Sequence, residues 1–125
     1  MDERAFAAAV ALRAGITKEE ARDLSRATLE ELVGQLSGGE ARELTIALPD
    51  GLADQLRQHS HGSHPVPIRD FIHRLAQRTG LSRNDVTRGV RAILVLLDQA
   101  LGGDRLRHAL SQLPADYRQL AAMTA

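Results

Sequence analysis

The sequence has no cysteine, so disulfides and thiolate metal sites are excluded at the outset. Aromatic residues make up only 2% of the chain: Phe6, Phe71 and Tyr117 are all there are. Stacking platforms for single-stranded nucleic acid are therefore missing. No apolar run approaches the roughly 18 residues of a membrane span. The opening Met1-Asp2-Glu3-Arg4 lacks the basic start of a secretory signal, so the expected location is cytoplasmic. Lys18 is the only lysine among 16 basic residues, and arginine carries almost all the positive charge.

What is present is Leu, Ala, Val and Ile, in a chain of 125 residues that is 43% hydrophobic. A core built from these favours helices. Displaced by 65 positions, the sequence lies over itself without a gap. Phe6 falls on Phe71, Gly15 on Gly80, Arg26-Ala27 on Arg91-Ala92 and Leu29 on Leu94. Leu32, Leu36 and Gly38 meet Leu97, Leu101 and Gly103, and Leu48-Pro49 meets Leu113-Pro114. Matches that fall mostly on apolar and turn positions mark a duplicated fold. The expected architecture is all-α: two tandem four-helix repeats, 1–58 and 68–125, packed as a pseudo-twofold bundle. The His/Ser/Gly/Pro stretch 59–67 is the linker between them.

Each copy reads as the same series of helices. The first spans about Glu3 to Ala14 and stops at Gly15. Thr17-Lys18-Glu19-Glu20 is a capping box, and Ala21, Leu24, Thr28, Leu32 and Leu36 form the apolar stripe of a long helix. Ser37-Gly38-Gly39 is the expected end of that helix, followed by a short one near Glu40 to Ala47 and a last one opened by Pro49. In the second copy Gly80 ends the first helix and Ser82 caps the long one. Val86, Val90, Ile93, Leu97 and Leu101 are its stripe, and Gly102-Gly103 its end. Gly89 stands where the first copy has Leu24, which points to close helix packing, with a hinge as the alternative.

These residues resemble a bacterial family known as domain of unknown function 2267. The resemblance is carried by Phe71-Ile72 with Leu75-Ala76, Gly80-Leu81-Ser82, Arg91-Ala92-Ile93-Leu94 and Leu113-Pro114. Phe6, Gly15-Ile16-Thr17, Arg26-Ala27-Thr28-Leu29 and Leu48-Pro49 repeat it in the first copy. It implies a small helical bacterial protein and no activity. Asp70 to Asp104 is also similar to the dimerising helical hairpin of histone-like HU proteins. The β-arms that grip DNA in those proteins have no counterpart after Gly103-Asp104, so DNA binding does not follow from the likeness.

Three sets of polar residues are candidates for function. His59, His61 and His64 crowd the linker and are weak candidates for a metal site, lacking fixed geometry. Leu75 to Val86 imitates a helix-turn-helix, in which Arg74, Arg78, Arg83 and Arg88, with Ser82, Asn84 and Thr87, would approach nucleic acid. Arg26 and Arg91 recur mid-helix, each expected to bond carbonyls or an acid of a neighbouring helix. Charge divides the chain: residues 1–60 hold 7 basic and 11 acidic side chains, residues 66–125 hold 9 and 5. The halves are expected to attract each other, within a chain or between chains. The alternative is that Arg74, Arg78, Arg83, Arg88 and Arg105 meet an acidic partner or a phosphate backbone. There is no glycine-rich phosphate loop, no His-Glu-x-x-His and no cysteine nucleophile. The functional expectation is a non-enzymatic interaction module without cofactor, binding itself or another protein. DNA binding through the second copy is the alternative, an enzyme a distant third.

Overall fold

A computed structural model describes residues 2–46, 48, 53, 65–102 and 104–122. Among the described residues it is all-helical, with seven helices and no strand. They are α1 (Glu3–Ala14), α2 (Lys18–Val33), α3 (Gly38–Ile46), α4 (Ile68–Thr79), α5 (Arg83–Leu101), α6 (Arg105–Leu110) and α7 (Ala115–Ala122). The last short helix expected after Pro49, and His59, His61 and His64, lie outside the described residues, apart from Ala53, which is helical and buried.

Local chemistry explains most boundaries. Asp2 accepts the Ala5 amide at 2.8 Å and opens α1, and Gly15, at φ 70°, closes it in the left-handed region that a side chain avoids. Thr17 and Glu20 form the full capping box of α2, with bonds of 3.0 and 2.9 Å. Ser82 accepts the Asp85 amide at 3.1 Å and starts α5.

One boundary differs from the sequence expectation. The long helix α2 ends at Val33, and Ser37-Gly38-Gly39 starts α3 rather than terminating α2. Ser37 accepts the Glu40 amide through its hydroxyl and the Ala41 amide through its carbonyl, the work of an N-cap. Between the helices the chain tightens through Gln35 N–Leu32 O and Leu36 N–Val33 O bonds. That turn buries Leu36 and aims the Gln35 side chain at the far half of the molecule.

Both halves share one continuous apolar core. α1 packs on α2 and on α5, α4 packs on α5 and on α2, and the long helices α2 and α5 cross each other. Gly89 lies at that crossing. A Cβ placed on it would fall 2.1 Å from Leu24 Cδ2, so the glycine admits the Leu24 side chain. This is close packing, and the residue that demands it is the one 65 positions earlier. α3 packs on α6, and α7 lies on α5 and α6.

A buried polar clasp joins the ends of this arrangement. The Tyr117 hydroxyl on α7 donates to the Val66 carbonyl at 2.7 Å and lies 3.2 Å from Gln35 Oε1, which accepts the Val66 amide at 2.7 Å. The Tyr117 ring meets Phe71 edge-on at 5.3 Å. Burial pushes the Tyr117 hydroxyl from its ordinary value near 10 up to about 12. One side chain thus ties together the turn after α2, the approach to α4, and α7.

Candidate functional site

The four arginines that would serve a nucleic-acid reading do not form a free basic face. Arg74 and Arg78 project from α4 toward Glu30 and Glu31 of α2. Arg74 Nη1 lies 3.9 Å from Glu31, Arg78 Nη1 lies 4.0 Å from the same carboxylate, and Arg78 Nη2 pairs closely with Glu30. Arg88 pairs with Asp85, and its Nε donates to the Ala14 carbonyl at 3.3 Å. That carbonyl belongs to the last turn of α1, where helical partners run out, so Arg88 closes α1 from the other half. Of the four, Arg83 alone has no ion pair among the described residues. Arg105 likewise has no ion pair among the described residues, and it stands with Glu40 and Glu43 around a small crevice between α3 and α6. Across the same contact His108 Nε2 lies 2.9 Å from Glu40. The acidic first half and the basic second half therefore meet inside the chain, at α2–α4 and at α3–α6.

Arg26 behaves as expected of a partly covered arginine. Its Nε and Nη2 both reach Glu3 Oε1, at 3.0 and 2.9 Å. Arg91 differs, because the position matching Glu3 is Ile68. Its Nε is buried with no hydrogen-bond partner among the described residues, as are the hydroxyls of Ser25 and Thr28. No group of three or more His, Asp or Glu is placed to hold a metal ion among the described residues. No helix there is long and apolar enough to cross a membrane.

The outer face of α1 was not singled out by sequence reasoning. Its inner face buries Phe6, Ala7, Val10, Ala11 and Ala14. On the opposite side Ala5, Ala8 and Leu12 recur at spacings of three and four, with Ala9 at the border and partly buried against the core, and Leu12 is 87% exposed. It is the only large hydrophobic side chain so exposed among the described residues. Helical geometry sets Arg4 along one edge of this stripe and Arg13 along the other, and neither has an ion pair among the described residues. A helix with apolar residues on every side is ordinarily covered on every side. The matching positions of α4 hold Asp70, His73, Arg74 and Gln77, an ordinary solvated face. The signal was available in the sequence as a comparison of those eight positions.

The model of a family described as "Uncharacterized conserved protein (DUF2267)" matches residues 3–120, which takes in every helix except the end of α7. The chain belongs to this family. No curated protein matches it. Membership accords with the all-helical fold and brings no activity with it.

Proposed function

We propose that the protein is a non-enzymatic interaction module whose two sequence copies close on each other as a pseudo-twofold pair, leaving the outer face of α1 to dock a protein partner. Three observations support the paired arrangement. Each copy's first helix packs on the other copy's long helix, α1 on α5 and α4 on α2. Each long helix crosses its counterpart. At that crossing Leu24 meets Gly89, its own equivalent, as residues near a twofold axis do.

The exposed Leu12 stripe carries the docking reading. Its flanking charges identify the kind of partner. A second copy docked face to face about a twofold axis would add two more arginines along the edges of the stripe and no uncommitted acid of α1 to answer them, since Glu3 is held by Arg26. A helix with an apolar stripe bordered by acidic residues would pack its leucines over Ala5, Ala8 and Leu12 and answer both arginines. DNA binding has less support, since Arg74, Arg78 and Arg88 are engaged with groups of the same chain.

The probe is a synthetic amphipathic helix with a leucine stripe bordered by glutamates, and the same helix bordered by lysines. Titration against the labelled full chain is expected to show saturable binding of the first only, lost in Leu12→Glu. Equal binding of both peptides, no binding of either, or a Leu12-dependent dimer of the protein alone would overturn it.

A further inference from the structure

A cleft of about 220 Å³ opens between α5, α6 and α7, on the second half and away from α1. Buried Leu94, Leu106 and Leu110 form its floor, with Val95 and Ala121 beside them. Four polar side chains stand around it: Asp98 and Gln99 from the last turns of α5, Arg107 from α6 and Arg118 from α7. Arg107 is already paired with Asp104 at 3.4 Å. Asp98 and Arg118 have no ion-pair partner among the described residues. An apolar floor is therefore bordered by one uncommitted charge of each sign.

The corresponding positions of the first half are different. Asp98 matches Val33 and Arg118 matches Ala53, and both of those side chains are buried. The same role in the fold is thus filled by apolar side chains in one half and by an exposed acid and an exposed base in the other. Core packing does not require the polar pair.

Size and charge together limit what fits. The volume lies below the roughly 300 Å³ at which pockets for drug-sized ligands begin. A nucleotide or larger cofactor would leave most of its surface outside the cleft, whereas a molecule of a few heavy atoms is covered by it. A simple carboxylate would answer Arg118 and face Asp98, and a simple amine would answer Asp98 and face two arginines. A neutral molecule carrying both charges answers both.

We propose that this cleft binds a free α-amino acid with an apolar side chain, of the size of leucine or methionine. Its carboxylate lies toward Arg118, its ammonium toward Asp98, and its side chain covers Leu94, Leu106 and Leu110. This site is separate from the α1 face and does not depend on it.

The test is calorimetric titration of the full chain with L-leucine and L-methionine, and with isocaproate and isoamylamine, which lack the ammonium and the carboxylate respectively. Saturable binding of the amino acids is expected, with each single-charge analogue at least about tenfold weaker. Asp98→Asn and Arg118→Gln, both at exposed positions, are expected to weaken leucine binding about tenfold each while helical content and melting stay unchanged. Leu12→Glu, which removes the docking face, is expected to bind leucine normally, so failure of one reading is distinguishable from failure of the other. The proposal is overturned by isocaproate or isoamylamine binding as tightly as leucine, by no saturable binding below about 10 mM, or by unchanged affinity in both variants.

Discussion

α1 and α4 begin 65 residues apart in the sequence, and each buries a phenylalanine at the same offset, Phe6 and Phe71. Their outer faces have diverged: Ala5, Ala8, Ala9 and Leu12 on one, Asp70, His73, Arg74 and Gln77 on the other. Arg78, which matches Arg13, has gone further and joined Glu30 and Glu31. Core positions are held under packing constraints, while surface positions are free to differ. The positions that differ between the halves are therefore informative about function, while those that agree are informative about folding.

Breaking the packing that the halves share has the largest expected effect. Leu24→Ala removes a fully buried side chain from the crossing of α2 and α5, and is expected to cost about 2–5 kcal/mol in denaturant titration. Gly89→Ala gains about 1 kcal/mol of helix propensity, but its Cβ enters the space of Leu24 at an expected cost of about 1–3 kcal/mol. In the Leu24→Ala background the same substitution is expected to turn stabilising by about 1 kcal/mol, a reversal that a double-mutant cycle reads directly.

The clasp sharpens the comparison, because Tyr117 reaches from the second half to Gln35 of the first. Tyr117→Phe leaves the Val66 carbonyl without its donor and is expected to cost about 1–3 kcal/mol. The folded-state value of about 12 lies above the ordinary 10. The corresponding stability is expected to be complete below about pH 10 and to be lost as pH rises toward about 12. Tyr117→Phe should lack that alkaline loss.

Smaller still is the charge contact. Glu30→Gln with Glu31→Gln is expected to cost under about 1 kcal/mol at low salt and less at high salt, since Arg74 and Arg78 are about half exposed. Leu12→Glu, on a fully hydrated face, should leave the melting temperature within the scatter of surface substitutions, about 0.5 kcal/mol either way. A large loss there would mean that Leu12 serves the fold.

Helix class, the caps at Thr17 and Ser82, and the glycine stops at Gly15, Gly80 and Gly102 were legible because each depends on neighbours a few residues away. Ser37-Gly38-Gly39 misled for the same reason. A glycine pair reads locally as a stop, and only distant partners of Leu36 and Gln35 make it a start. Gly89 announced a close approach without naming Leu24. The pairing of Arg78 with Glu30 spans 48 residues, beyond any local pattern, so the charge split pointed to attraction between the halves without naming the partners. The cleft needs three helices brought together and leaves no motif at all.

The most direct test of the central claim, that the opposed charges of the two halves are engaged within a single molecule, is light scattering behind size exclusion. It should be run at about 50 and about 300 mM salt, with and without a mixed-sequence DNA duplex. The expected result is a monomer of 13.6 kDa at both salts that ignores the duplex. A salt-sensitive oligomer would contradict it by showing the charges acting between molecules, and co-elution with DNA at low salt would contradict it by showing the arginines free.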